Sequence, residues 1–278
     1  MRASIVFFVA TSGVLALVAS TGLAHADGMA GKTPPASTAL TAQQVDAVAA
    51  KRQAEAQFMV GAVTPQGPSV GITVASPDST CGARCAGGGY PASAWFAGNQ
   101  TPQITSYYCG PASVHEALNS VGVGMSQQTA ADHLNTTSDG TAWSGGGTSP
   151  SGYPVPDVLN HHETRNYYVP QYVSSDGTSA VDQYEQDLTY DIYAVGAPAV
   201  GDAYEVYQGP HLNGHPNRTT PIFHWFDIRG YSNSGASTMY EDSAHDATSV
   251  SWYAGVPAYS TLASSKIVTI VEGRGYVW

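Results

Sequence analysis

Three cysteines in 278 residues leave one without a partner, and Cys109 is the one with neighbours suited to chemistry. It is followed by Gly110, Pro111 and Ala112. Proline has no N–H to lose and fits the opening of a helix, so Cys109 sits where a helix begins. A thiol there faces free backbone N–H groups and the positive end of the helix dipole, and both favour a thiolate. The backbone N–H of Cys109 can point at a developing oxyanion. Gln103, six residues earlier, can add a side-chain amide donor. These residue types suit nucleophilic attack on a carbonyl carbon.

Such a thiol needs a base, and nine histidines are available. His161 and His162 are adjacent on a polar, helix-like stretch, so at most one of them faces inwards. His211 and His215 lie in a loop of Asn, Gly and Pro. Their spacing would suit two metal ligands one helical turn apart. Pro210, Gly214 and Pro216 argue against a helix there, and no metal or other cofactor is expected. His224 differs because it interrupts the apolar strand Ile222, Phe223, Trp225, Phe226 and Ile228. A polar group inside such a strand must have a partner. It is either a satisfied core histidine or the base for Cys109, and the companion cysteine favours the base.

The elements that must position these residues form an α+β order. Val114, Ala117, Leu118 and Val121 recur at helical spacing, which predicts a helix from Pro111 to Val121 stopped by Gly122. A second helix is expected over Ala180 to Tyr193, then a short strand at Ala197 to Val200. Pro221 to Tyr231 and Thr238 to Asp242 read as a hairpin, and Lys266 to Glu272 as a terminal strand. Helices first and antiparallel strands after is the α+β pattern. Upstream, Thr41 with Gln44 is a capping pattern that predicts a helix to Met59. That helix is read as solvated rather than as a clamp on the main domain.

The N-terminus has the form of an export signal. Arg2 precedes the apolar run Ile5 to Ala19, and Ala24, His25 and Ala26 offer a small-residue cleavage site. The expected organisation is a signal over 1–26, a flexible leader, helix and linker over 27–89, and a main domain over 90–278. In an oxidising compartment Cys81 and Cys85 are expected to pair, leaving Cys109 free. The formal charge is −11, with only three lysines, at Lys32, Lys51 and Lys266. Nucleic-acid binding, which needs a basic stripe, is therefore not expected. No segment other than the signal is apolar enough for stable membrane insertion.

The stretch Tyr107-Tyr108-Cys109-Gly110-Pro111-Ala112, with His224-Trp225-Phe226-Asp227-Ile228-Arg229-Gly230-Tyr231 after it, resembles the C39-like branch of the papain-like cysteine peptidases. The resemblance covers roughly Thr101 to Asp242. It implies a papain-like fold with N-terminal helices on an antiparallel sheet, and a peptide or protein substrate. It makes Cys109 the nucleophile, His224 the base, Asp242 the orienting acid and Gln103 the oxyanion donor. Ser243 departs from the family, which usually has proline after this aspartate. A hairpin centred on Asn233 would set His224 directly opposite Asp242 on one face, with Glu241 on the other. A bulge would exchange the two acids. The expected activity is hydrolysis of an amide bond outside the cell. Acyl transfer to an amine on the same site, and a binding module that has lost the chemistry, are the alternatives.

Overall fold

The computed structural model describes residues 32, 33, 35, 37–59, 72–74, 90–145 and 149–278. The export segment and the Cys81–Cys85 pair lie outside the described residues. Eight strands form one antiparallel sheet: β1 (Ile72–Val74), β2 (Ala94–Phe96), β3 (Pro170–Tyr172), β4 (Ala199–Glu205), β5 (Ile222–Ser232), β6 (Ser237–Glu241), β7 (Tyr259–Ala263) and β8 (Gly275–Val277). The main order is β1-β2-β5-β4-β8-β3, with β6 on β5 and β7 outside β6. The helices are α1 (Ala42–Met59), α2 (Cys109–Ser120), α3 (Gln127–Leu134), α4 (Pro154–His162), α5 (Thr178–Thr189) and α6 (Ser264–Val271). The expected α+β class is what the chain adopts. Part of the segment expected as a linker joins the sheet, because β1 pairs with β2 from Ile72↔Phe96 to Val74↔Ala94.

Alternation along β5 sorts its side chains between two apolar layers. Phe226 and Ile228 pack with Leu188 of α5 and Ile267 of α6. Trp225 packs on the other side with Val114 and Leu118 of α2. The stripe Val114, Ala117, Leu118 and Val121 is buried as its spacing predicts, and Gly122, at φ +82, ends the helix. α2 opens at Cys109 itself, two residues earlier than expected. Pro111 is still within the first turn, where an N–H has no acceptor inside the helix.

Three elements differ from the sequence expectation. Lys266 to Glu272 is not a strand: Ser264–Val271 is the helix α6, and the last strand is β8. Ile267, Val268, Ile270 and Val271 are all buried, and that spacing covers one helix face as readily as a β-branched run fills a strand. β4 runs on to Glu205, well beyond Val200. α5 stops at Thr189 and gives way to a π-helical turn at Tyr190–Val195 that carries Asp191 inside.

The fourth difference is α1, which is a clamp rather than a solvated helix. Its capping pair forms as expected: the Thr41 N–H donates to Gln44 Oε1 at 2.9 Å, and the Gln44 N–H donates to Thr41 Oγ1 at 3.3 Å. Its middle is anchored by charge. Lys51 Nζ meets Asp191 Oδ2 at 3.1 Å, Arg52 pairs with Asp187, and both cations lie 4.1 Å from the Trp278 ring. Burial pulls Lys51 down to about 8 and pushes Asp191 up, so desolvation outweighs the pairing at both ends. Removing one partner then leaves a lone buried charge, whereas removing both removes the penalty too. Lys51→Met should lower stability at pH 7 by about 3 kcal/mol in urea melts, and adding Asp191→Leu should restore most of it. Equal losses in the single and double variants would show that the anchor is not electrostatic.

Candidate active site

Cys109 opens α2 at the edge of a cleft of about 290 Å3 lined by Trp143, Asp202, Phe223, Trp225 and Arg274. Gly110 is required beside it, because a Cβ there would fall 2.3 Å from Thr141 Oγ1. That close approach sets the helix start against the loop that forms one wall of the cleft. The Trp225 indole N–H ties the same loop to β5 by donating to the Thr141 carbonyl at 3.0 Å. A larger cavity of about 380 Å3 lies between α3 and α4 around His133 and His162, away from Cys109.

His224 is the third residue of β5, opposite Ala203 of β4, and is buried. Cys109 lies on one side of it, close enough to raise its pKa. On the other, its Nε2 donates to Asp242 Oδ1 at 3.0 Å, which leaves Nδ1 for the thiol. Asp242 lies one residue past β6. Its Oδ1 also accepts the Ala244 N–H at 2.9 Å, and its Oδ2 accepts His215 Nε2 at 2.9 Å. His215 Nδ1 in turn donates to Glu205 Oε2 at 2.9 Å, and His211 Nδ1 lies 3.1 Å from that same oxygen. Glu205 Oε1 accepts the Leu212 N–H at 2.8 Å. The result is a buried row in which His224, Asp242, His215 and Glu205 alternate in charge, with Cys109 at its His224 end.

The charges settle one another. Burial alone would lower His224, but the Asp242 carboxylate and then the Cys109 contact outweigh it, and its pKa stands well above the usual imidazole value. His215 is raised likewise, with Asp242 and Glu205 outweighing burial. Burial pushes Asp242 up, yet the two imidazoles hold its carboxyl well below the usual carboxylate range. His215, His224 and Asp242 place potential ligand atoms within 4.8 Å of one another, the one such group of three among the described residues. Their nitrogens hold protons hydrogen-bonded to the carboxylate, and a metal would have to displace those protons.

The structure brings Cys109, His224 and Asp242 together, though by a different register from the expected one. Asp227 stands opposite Glu241 and Ile228 opposite Tyr240, after a bulge at Arg229, so His224 and Asp242 are not direct partners. The shift is an even number of residues, so both keep the same face and meet diagonally. Glu241 points elsewhere. It accepts the Asn99 N–H at 3.1 Å and faces Arg229, and burial raises it to about 7. Gln103 is buried nearby. Its amide donates one N–H to the Thr105 carbonyl at 2.8 Å, its Oε1 accepts from Ser243 Oγ at 3.2 Å, and the second amide N–H remains.

Two residues of the row were missed in the sequence. Glu205 lies at the end of a strand that the sequence pattern stopped too early. His215 was weighed with His211, as a base passed over for its loop and as one of a metal pair. The signal that relates them is that both imidazoles of the His211-x-x-x-His215 spacing address one carboxylate, Glu205.

Residues 94–263, over half the chain, match the Peptidase_C39 like family. The chain belongs to the Peptidase_C39 like family. Among solved structures, the peptidase domain of Streptococcus ComA, a bi-functional ABC transporter involved in a quorum-sensing pathway, is similar at 15% identity, 66% of this chain, 97% of that chain and a TM-score of 0.39. A C39-like peptidase from Bacillus anthracis is similar at 12% identity, 64% of this chain, 92% of that chain and a TM-score of 0.38. No curated protein matches the sequence. In this C39-like chain Ser243 replaces the usual proline, and it has work of its own. Its carbonyl accepts the Gln103 N–H at 2.8 Å while its hydroxyl donates to the Gln103 side chain. The segment that carries Asp242 is thereby joined to the one that carries Gln103.

Proposed function

We propose that this protein is an exported cysteine peptidase in which Cys109 attacks the carbonyl of a peptide bond. The observation that carries the reading is the position of His224, beside Cys109 and hydrogen-bonded to Asp242, within a chain of the C39-like family. An imidazolium beside the sulfur is the charge a thiolate pairs with, and it is the acid the leaving amine needs. The thiolate forms a C–S bond, and the carbonyl oxygen takes the negative charge. The Cys109 backbone N–H and the free amide N–H of Gln103 are the donors available to that oxygen. Collapse breaks the C–N bond as His224 passes its proton to the departing amine, leaving a thioester. Neutral His224 then takes a proton from water, and the hydroxide frees the acid and returns the thiolate. Asp242 fixes the imidazole and stays ionised throughout. The signal-like residues 1–26 support action outside the cytoplasm.

The test is a peptide library incubated with the protein before and after one equivalent of iodoacetamide, with the alkylated residue located by mass spectrometry. Cleavage should stop when Cys109 is modified, and acid-quenched reactions should carry an acyl fragment on the peptide that contains Cys109. Undiminished cleavage by protein alkylated at Cys109 would sink the proposal.

A further inference from the structure

The reaction as proposed makes no use of one buried acid in the cleft. Asp202 lies in the middle of β4, opposite Trp225 of β5 and Gly275 of β8. Like Trp225, it faces the cleft that holds Cys109. It is only 3% exposed, and no hydrogen bond reaches its carboxyl among the described residues. Its charged neighbours are Arg274 and His224. Neither donates a hydrogen bond to it among the described residues. His224 donates to Asp242, and Arg274 Nη1 donates to the carbonyls of Thr33 at 2.8 Å and Gly273 at 2.7 Å. The Arg274 guanidinium lies 4.9 Å from the Tyr204 and Phe223 rings. Burial raises the Asp202 carboxyl to about 7. A buried carboxyl without a donor is costly, and it marks a place where a donor is wanting.

The walls around that carboxyl suit a long cationic side chain. The Trp143 and Trp225 rings stack on each other at 5.8 Å and are buried, so the half-exposed Phe223 ring beside them is the aromatic face open to a ligand. Aromatic faces cover the methylene stem of lysine or arginine and attract its charged head. Asp139 lines the same cleft and adds a second negative charge. We propose that Asp202 makes the Cys109 cleft select peptides that present a lysine or arginine side chain beside the scissile bond, with the carboxylate as its partner. This rests on the peptidase reading for the substrate, although the charge preference of the cleft can be measured without it.

The test compares mixed-disulfide formation at Cys109 at pH 8, with release of methanesulfinate, by three methanethiosulfonates of similar size: aminoethyl (cationic), ethyl (neutral) and sulfonatoethyl (anionic). Each rate is read on the Cys109 peptide and divided by that of a free thiol. Asp202→Asn should lower the cationic-to-neutral rate ratio roughly tenfold relative to wild type, the effect of one charge a few ångströms away in a partly desolvated cleft. Asp202→Ser should do the same, in case the amide substitution disturbs packing. A change in thiol reactivity alone moves both rates together and leaves the ratio fixed. A ratio within twofold in wild type and both variants overturns the proposal. So does a wild-type preference for the anionic reagent, which would make Arg274 the dominant charge. In parallel, library cleavage should favour lysine and arginine in wild type and lose that preference in Asp202→Asn. If no peptide is cleaved, the peptidase reading fails while the labelling ratio still decides the role of Asp202.

Discussion

Cys109→Ala should abolish peptide cleavage and leave the fold in place. Removing the nucleophile of a hydrolase whose groups act as a unit lowers kcat by about 10⁶-fold, because the remaining groups then have no covalent step to assist. The Ser113 hydroxyl, one turn along α2, already donates to the Cys109 carbonyl at 2.9 Å. The structural effect is small by comparison. Alanine keeps the Cβ and the helix start, and loss of one sulfur from a well-packed site costs about 1 kcal/mol. His224 would lose one of the contacts that raise it and keep the larger one, to Asp242. The checks are kcat/KM on the best library peptide and a thermal melt of both proteins. Retention of more than a hundredth of the activity would mean that another residue makes the covalent bond.

The parts of this site that were legible in the sequence are those set by local pattern. α2 follows from the spacing of Val114, Ala117, Leu118 and Val121, and His224 is conspicuous as the polar residue in the apolar run of β5. The capping pair Thr41 and Gln44 forms as written. What was not legible depends on distant contacts. The register of β5 on β6 is set by a four-residue connection, from Ser232 to Ser237, and by the bulge at Arg229, neither of which has a unique local signal. Counting across the turn therefore gave the right face but the wrong partner. α6 was misread because a short run of Ile and Val fits either period. Glu205 was invisible as a site residue because its role appears only when the loop after β4 folds back and sets His215 between two carboxylates. Ser243 read as a departure from the family, yet it holds the Gln103 segment to the Asp242 segment, a contact across 140 residues.

That fold-back changes what Asp242 has to do. It serves two buried imidazoles, since His224 and His215 each donate to one of its oxygens. Glu205 supplies the second negative charge, and its own carboxyl is held below the usual range because His215 and the Leu212 N–H outweigh burial. Two carboxylates and two imidazoliums balance among buried side chains. Asp242 can therefore remain ionised beside His224 at neutral pH.

Asp242→Asn removes that balance, and it should damage activity and stability with different pH signatures. The asparagine carbonyl can accept from one imidazole only, and its amide N–H₂ would face the N–H of the other. With the neighbouring carboxylate gone, burial pulls His224 down, so less of it is imidazolium at neutral pH. kcat/KM should fall about 10³–10⁴-fold, and the basic limb of its pH profile should move to lower pH. For stability, Asp242 has a depressed folded pKa, so its contribution is full above the unfolded value of about 3.9 and is lost as pH falls through the folded value. His224 and His215 have raised folded values, so theirs is full below about 6.5 and is lost as pH rises through those values. The two windows overlap near pH 5. The melting-temperature gap between wild type and Asp242→Asn should be widest there and narrower at pH 3 and pH 9. Breaking a buried ion pair from one side costs about 3–5 kcal/mol, enough to see in any melt. Glu241→Gln is the control, because Glu241 faces Asn99 and Arg229 and not His224. It should keep full activity, and an equal loss in Glu241→Gln and Asp242→Asn would assign the orienting acid to the wrong carboxylate.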